Sequence, residues 1–316
     1  MRALPDIGVV VPLFNEEALV DELVRRLSAA LSGITAHWVV WLVDDGSRDA
    51  TWKGIEAASM AEPRVRGLRF SRNFGQHVAI SAGLDHADAH YVVVMDGDLQ
   101  DLPETIPELY AKATEGWDVV LVERKDRPIG WLYGLAQRTF YGVLKFLART
   151  EYNPAFGNFS ILARKVVVAY RSLSEGSRFF GGLVFWLGFQ RTTITAPHGE
   201  RFAGPPSYNL RRRLRLASDI IIAYSVRPLH FAVLLGVIST VFSFGYGCTI
   251  IYKALFDTGM VEGWASLIVS IYFVGGVIMT LLGLNSIYLG RVYQELKRRP
   301  LYVVSELASP KTTDDA

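Results

Sequence analysis

Two aspartates, Asp96 and Asp98, are the residues whose type and spacing most directly indicate chemistry in this sequence. They follow an apolar run, residues 91–95, which predicts a strand buried on both faces, so the acidic cluster begins where that strand ends. Gly97 between them lets the backbone turn. The two carboxylates can therefore converge on a hard divalent cation that keeps some water and binds substrate phosphates. A solvated acidic turn is the alternative interpretation of an isolated pair.

The composition limits the class of protein. Half of the 316 residues are hydrophobic, and most of the excess lies beyond residue 228. The net charge of +2 indicates no polyanionic partner, so we expect no nucleic acid. The single cysteine, Cys248, excludes an internal disulfide, and its apolar surroundings indicate packing. Residues 1–6 contain no apolar core of signal-peptide length, so we expect the first half to stay in the cytoplasm.

Short apolar runs and helical repeats alternate through the first 125 residues. The runs predict strands at 7–13, 38–43, 65–70, 91–95 and 118–122. The segments between them predict helices at about 19–31, 50–60, 76–87 and 103–114. Alternating strands and helices with short connections predict an α/β fold with a mostly parallel, doubly wound sheet. Neither a G-x-G-x-x-G motif after a strand nor a P-loop motif occurs, which disfavours dinucleotide redox chemistry and P-loop hydrolysis.

Three polar clusters follow predicted strands, at residues 14–17, 44–47 and 96–100. In doubly wound sheets, ligands bind beyond the carboxyl ends of the strands, so these clusters should meet there. A local role is the alternative for the first cluster. Asn15 suits a helix N-cap, and the two glutamates after it suit the positive end of the helix dipole.

Four motifs, in order, resemble those of family 2 glycosyltransferases. They are V-P-L-F-N-E at 11–16, V-D-D-G-S at 43–47, R-N-F-G-Q at 72–76, and D-G-D-L-Q-D with P-E at 96–104. More narrowly, they resemble the branch of dolichyl-phosphate mannose synthases and bacterial polyprenyl-phosphate glycosyltransferases. The resemblance implies a GT-A fold, a nucleotide sugar donor, a polyprenyl phosphate acceptor, and Mg²⁺ or Mn²⁺.

The resemblance also implies roles for individual residues. It puts the nucleotide sugar beside Pro12, Asn15, Glu16, Asp44, Asp45, Ser47, Arg72 and Asp96. It puts the divalent ion on Asp96, Asp98 and Gln100, and it makes Asp96, Asp98, Arg124 and Arg201 catalytic. It puts the acceptor phosphate and lipid beside Arg201, Ser207, Tyr208 and Arg211. An ordinary surface position is the alternative for Arg201.

Two positions depart from the family pattern. Asn158 stands where an aspartate is frequent, and Ser207 stands where some members have a lysine. The first departure puts a carboxylate role at this point in doubt and bears on sugar choice. The second removes one phosphate contact, unless the arginines at 211–213 supply it.

The reaction suits these residue types. A departing nucleoside diphosphate gathers negative charge that a divalent ion and arginine stabilise. A lipid phosphate is largely ionised at neutral pH, so it attacks with little need for a general base. A single in-line displacement inverts the anomeric centre.

The last third of the sequence predicts a membrane anchor. Residues 208–228 mix arginines with apolar residues, which is typical of a basic amphipathic segment at anionic headgroups. Two uncharged stretches, about 229–251 and 265–289, are each long enough to cross the hydrocarbon core. Basic residues on both outer flanks predict that these flanks are cytoplasmic and that the short link lies outside. A buried helical hairpin is the alternative.

The remaining segments complete the predicted organisation. Residues 131–148 predict a helix, either in the membrane interface or packed on the sheet. We expect a catalytic domain over 1–207, the juxtamembrane segment 208–228, the membrane hairpin 229–290 and a cytoplasmic tail 291–316, disordered after about residue 307. Glycines in the second span would allow close helix approach, and relatives suggest a homo-oligomer such as a tetramer.

The sequence therefore predicts an inverting glycosyltransferase of the bacterial cytoplasmic membrane, with its catalytic domain in the cytoplasm. UDP-glucose is the default donor and undecaprenyl phosphate the default acceptor. Two alternatives remain. A processive polysaccharide synthase shares the front half but carries a Q-x-x-R-W motif that this sequence lacks. An inactive membrane protein that binds sugar nucleotide or scaffolds glycan export is disfavoured by the intact acidic motif.

Overall fold

The computed structural model describes residues 4–124, 156–176, 178–197, 199, 227–256 and 263–309. The described residues belong to two compact units, one containing a sheet and one containing two long helices. The segments predicted at 131–148 and 208–226 lie outside the described residues, as does the expected domain boundary at 207.

Eight strands and eight α-helices make up the described chain. The strands are β1 (Ile7–Leu13), β2 (Trp38–Asp44), β3 (Val65–Phe70), β4 (Tyr91–Val94), β5 (Val119–Arg124), β6 (Phe156–Ala163), β7 (Arg191–Ala196) and β8 (Val304–Ala308). The helices are α1 (Val20–Ser32), α2 (Thr51–Ala61), α3 (Gln76–His86), α4 (Ile106–Thr114), α5 (Arg164–Arg171), α6 (Phe180–Trp186), α7 (Arg227–Phe256) and α8 (Trp264–Leu296). A 3₁₀ turn, Pro103–Thr105, leads into α4.

All eight strands form one sheet in the order β7-β5-β6-β4-β1-β2-β3-β8. The pairs β1–β2, β1–β4, β2–β3 and β5–β7 are parallel. β6 runs antiparallel between β4 and β5, and β8 runs antiparallel to β3. The predicted mostly parallel α/β sheet is therefore confirmed, with two reversed strands.

The centre of the sheet is its most apolar part. Every residue of β1 and β2 is buried, as expected for central strands covered on both faces. α1 covers one face with Leu23, Leu27 and Leu31, which recur at helical spacing and are fully buried. Pro12 is tolerated in β1 because the pairing with β4 ends at Val10, so its missing N–H removes no ladder bond there.

The second unit consists of α7 and α8. Leu229–Tyr246 and Ser270–Leu296 have mean hydropathies of 1.7 and 1.6, and both are long and apolar enough to cross a membrane. Neither stretch is buried within the structure, unlike the core helix of a soluble protein. Their length and composition indicate membrane association.

The end of the chain differs from the expected tail. Residues 304–308 form β8, which pairs with β3, forms one edge of the sheet and belongs to the sheet-containing unit. The sequence analysis predicted no strand here, because the partner strand lies more than 200 residues earlier and a local pattern does not report such a pairing. The cytoplasmic, disordered end of the chain stays a prediction.

Candidate functional site

Hydrogen bonds join the loop after β1, called the first loop, to the loop after β2, called the second loop. Asn15 has a left-handed backbone (φ 56°), which asparagine tolerates better than most residues. Its backbone N–H donates to Ser47 Oγ at 2.9 Å, and its Oδ1 accepts from Arg48 N at 2.9 Å. The alternative interpretation of Asn15 as a helix N-cap is wrong, because α1 begins at Val20 and no side chain caps it. Asn15 instead fixes two loops relative to each other.

The two glutamates after Asn15 also contact the second loop. Glu16 donates its backbone N–H to Thr51 Oγ1 at 2.9 Å. The Glu17 carboxylate accepts from Ala50 N at 2.8 Å, directly before α2. Negative charge at a helix N-terminus is favourable, so Glu17 stabilises α2 rather than α1 as expected from the sequence.

Asp44, the last residue of β2, is completely buried. Its Oδ1 accepts from Ser47 N at 2.9 Å. Its Oδ2 accepts no hydrogen bond from the described residues and lies 3.4 Å from Arg69 Nε. Burial raises the pKa of this carboxyl, and the bonds from Ser47 and the charge of Arg69 oppose that rise.

Asp45 joins the second loop to the third, which follows β3. Its carboxylate accepts from Phe74 N at 2.6 Å and from Gly75 N at 2.9 Å. Burial raises the pKa of this carboxyl, and these two hydrogen bonds oppose the rise. Gly46 beside it has φ 71°, and a Cβ there would lie 2.5 Å from the carbonyl carbon of Arg72. The two loops therefore touch backbone to backbone. The Arg72 guanidinium lies over the Phe74 ring, 4.2 Å from its centroid.

Asp96 receives two side-chain amides. Its Oδ1 accepts from Gln76 Nε2 at 2.7 Å and from Asn158 Nδ2 at 3.0 Å. These two hydrogen bonds fix the orientation of the Asp96 carboxylate. The sequence interpretation missed Gln76 as a site residue, although it ends the R-N-F-G-Q motif. It treated Asn158 only as a departure, because the pairing of β6 with β4 was not visible.

The acidic turn after β4 is held by close packing. Asp98, which is partly exposed, accepts from Gln100 N at 3.1 Å through Oδ1. Leu99 between them has φ 59° and a buried side chain. A Cβ on Gly97 would lie 2.4 Å from Leu13 Cδ2 and 3.0 Å from Pro12 O, so only glycine fits here without a shift. The end of β1 therefore supports the turn that carries Asp98.

The segment after β7 returns to this turn. Gly199 N donates to Gln100 O at 2.9 Å. Arg201, Ser207, Tyr208 and Arg211, predicted to contact phosphate and lipid, all lie outside the described residues. Arg124 ends β5, and its backbone alone is described. The predicted roles of these arginines and their neighbours stay predictions.

The predicted metal ligands Asp96, Asp98 and Gln100 carry the oxygen atoms that a hard divalent ion prefers. Within the described ranges, no group of three or more His, Cys, Asp or Glu side chains is placed to hold a metal. The predicted set offers two carboxylates and one amide. Magnesium commonly uses only one or two carboxylates and takes its remaining ligands from water and substrate phosphates. The oxygen chemistry of Asp96, Asp98 and Gln100 therefore fits an ion that arrives with a diphosphate.

Known proteins resemble this chain in sequence and in fold. Residues 8–169 match the family described as glycosyl transferase family 2. The chain is 37% identical over 303 residues to an uncharacterized glycosyltransferase of Synechocystis sp., covering 96% of this chain and 95% of that one. It is 35% identical over 301 residues to the SfII prophage-derived bactoprenol glucosyl transferase of Shigella flexneri, covering 95% and 97%. The crystal structure of a mycobacterial protein matches with a TM-score of 0.50 at 20% identity, covering 69% and 73%, and supports the fold.

Proposed function

This chain belongs to glycosyl transferase family 2. We propose that it transfers glucose from UDP-glucose to undecaprenyl phosphate. The observation that carries the proposal is that β2 and β4 both run parallel to β1, so the segments that follow them bring Asp44, Asp45, Asp96 and Asp98 to one edge of the sheet. Similarity over almost the whole chain to a relative named for glucosyl transfer to bactoprenol supports glucose as the sugar and a lipid phosphate as the acceptor.

The nucleoside part of the donor is assigned to the first three loops. Asn15, Ser47 and Asp45 bind these loops to one another through the hydrogen bonds described above. Asp44 holds a buried carboxylate oxygen that lacks a hydrogen-bond donor in the described part of the chain, and a nucleoside N–H or hydroxyl can supply one. The loops thus form a site that is largely in place before the donor binds.

The diphosphate is assigned to the acidic turn. Asp98 and Gln100, with Asp96, would hold Mg²⁺ or Mn²⁺. When bound, such an ion stabilises the negative charge that develops on the departing diphosphate. Gln76 and Asn158 orient the Asp96 carboxylate, and the packed Gly97 turn keeps Asp98 at the strand end.

The acceptor supplies the nucleophile. An ionised phosphate oxygen forms the new bond to the anomeric carbon while the bond from that carbon to the diphosphate oxygen breaks, so the configuration inverts. UDP leaves with the bonding electron pair, and no proton needs to be removed from the acceptor. Arg124, Arg201 and Arg211 are assigned to the phosphates, with Ser207 and Tyr208 beside the lipid. In this mechanism the protein accelerates the reaction by positioning the two substrates and by stabilising the negative charge of the phosphates.

The two spanning helices anchor the enzyme where the lipid acceptor resides. We place the sheet-containing unit and both outer flanks in the bacterial cytoplasm, and we propose a homo-oligomer such as a tetramer. Cross-linking of the detergent-solubilised chain, read by mass, tests the assembly.

A donor panel tests the function. Purified full-length protein is incubated with labelled UDP-glucose, UDP-galactose and GDP-mannose, with and without undecaprenyl phosphate. We expect label to enter the organic phase only with UDP-glucose and lipid together. Product that elongates into polymer would favour a processive synthase, and donor binding without turnover would favour an inactive scaffold.

A further inference from the structure

The C-terminal strand β8 lies against the strand that leads into the third loop of the donor site. β8 pairs antiparallel with β3, with Leu307 opposite Leu68 and Glu306 opposite Arg69. The pairing continues past the strand, because Ser71 N donates to Val303 O at 3.0 Å. The last described segment of the chain is thus an edge strand next to the proposed nucleoside site.

The Glu306 carboxylate connects β8 to Arg69 in β3 and to Trp52 in α2. Its Oε1 accepts from Arg69 Nη1 at 2.7 Å, and its Oε2 accepts from Trp52 Nε1 at 3.0 Å. Arg69 in turn places its Nε 3.4 Å from Oδ2 of the buried Asp44. A continuous chain of charges therefore runs from the C-terminal strand through Arg69 to the donor site.

A second set of contacts joins the same segment to Asp45. The ring of Tyr302 stacks on Phe70 at 5.1 Å between centroids, and Phe70 packs edge-on against Phe74 at 5.5 Å. The backbone N–H of Phe74 donates to Asp45. Tyr302 is itself held by donating its hydroxyl to Asp85 Oδ2 at 3.0 Å. The neighbouring carboxylates of Asp44 and Asp45 are thus both supported by the C-terminal segment, through β3 and the loop after it.

We propose that Glu306 is a positioning residue of the donor site, acting through Arg69 on Asp44. A completely buried carboxylate is unfavourable unless a cation or hydrogen-bond donors compensate it. Arg69 is the cation at hand, and with a side chain 30% exposed it has room to turn toward solvent. Glu306 holds the guanidinium from the other side and so keeps its Nε directed at Asp44. The inference rests on the assignment of Asp44 to the donor in the proposed function.

The variant Glu306→Gln tests this role with little change of shape. Glutamine keeps an oxygen that can accept from Trp52 or Arg69, but it removes the negative charge that holds Arg69. Leu307→Ala is the matched control, because Leu307 occupies the same strand and is 60% exposed. Both variants are purified at full length in detergent. Transfer kinetics are measured for donor and acceptor separately, and binding of labelled UDP is measured by equilibrium dialysis.

We expect Glu306→Gln to raise the KM for the donor and the dissociation constant for UDP by about fivefold, with kcat changed by less than about twofold. The KM for the lipid phosphate and the melting temperature should match those of Leu307→Ala. A loss of packing alone would lower stability and affect both substrates equally.

The outcomes separate the inference from the proposed function. Unchanged donor KM and UDP binding in Glu306→Gln, beside normal wild-type activity, would overturn the inference alone. An equal loss for donor and acceptor would also overturn it, because the strand would then be merely structural. A wild-type protein that neither binds UDP nor turns over UDP-glucose would overturn the proposed function, and the inference with it.

Discussion

Asp44 is the residue whose environment most needs a functional explanation. Its carboxylate is completely buried, and one oxygen receives no hydrogen bond from the described residues. Such a group lowers stability relative to a neutral side chain of the same shape, so stability alone does not favour it. A donor-site role accounts for it, because a bound ligand supplies the missing hydrogen bond.

The pH dependence of stability should reveal this cost. The folded pKa of Asp44 is raised by burial, so its contribution to stability is complete below its unfolded pKa and is lost as pH rises through the folded pKa. Asp44→Asn removes that loss. We expect the melting temperature of the variant minus that of the wild type to increase as pH rises from about 4 to about 8. At any one pH, the variant should bind UDP more weakly than the wild type does. A relative melting temperature that falls with rising pH would contradict this explanation.

Asp98 is expected to matter for turnover and not for folding. It lies partly exposed on the acidic turn, and its Oδ1 makes one local hydrogen bond. Asp98→Ala should reduce transfer by about 100-fold or more, a typical loss when one group that stabilises transition-state charge is removed. Unfolding by heat should be nearly unchanged. Glu108→Ala, on the exposed surface of α4, is the control and should retain activity. Full activity in Asp98→Ala would refute the metal assignment.

At the scale of elements, the site depends on loops that touch one another. The second and third loops meet at Gly46, where an added Cβ would lie 2.5 Å from backbone and φ is 71°. Backbone atoms cannot move aside as the end of a flexible side chain can. The contact therefore requires glycine for two independent reasons, conformation and space.

Gly46→Ala should therefore be costly. We expect a loss of roughly 2 kcal/mol or more in the free energy of unfolding, measured by denaturant titration. Gly116→Ala separates the two causes, because Gly116 also has positive φ (107°) but has nothing within 4 Å of an added Cβ. Its cost should be about 1 kcal/mol, from backbone strain alone. A larger loss at Gly116 than at Gly46 would show that the loop contact is unimportant.

The sequence predicted the elements whose signals are local. β1 to β5 and α1 to α4 lie where apolar runs and helical repeats indicated. The loops after β1, β2 and β4 begin at one edge of the sheet, as the carboxyl-end rule predicted. The sequence did not reveal that β6 runs antiparallel beside β4 and brings Asn158 to Asp96. It also did not reveal that β8 pairs with β3 at one edge of the sheet. Both depend on pairing between distant segments. Local periodicity carries no information on such partners.

At the scale of the whole molecule, a sheet that carries the candidate site and a pair of apolar helices belong to one chain. This combination suits a reaction between a water-soluble donor and a lipid-linked acceptor. The basic residues that flank the helices in the sequence predict the orientation that the proposal requires.

Single cysteines test the orientation, because Cys248 is the only native one. In a Cys248→Ser background, Met260→Cys lies in the link between the helices and Ser309→Cys lies near the end of the chain. A membrane-impermeant maleimide added to intact spheroplasts should label position 260 and leave 309 unlabelled until lysis. The opposite pattern would put the catalytic unit outside the cell and contradict the cytoplasmic assignment.

The central claim is that carboxylates at the sheet edge hold a divalent ion on a nucleotide sugar while a lipid phosphate attacks. The most direct measurement is transfer of labelled glucose from UDP-glucose to undecaprenyl phosphate by the full-length enzyme before chelation, after chelation, and after Mg²⁺ or Mn²⁺ is returned. We predict that transfer stops with chelator and recovers with either ion in wild type but not in Asp98→Ala. Undiminished transfer by the fully chelated enzyme would contradict the claim.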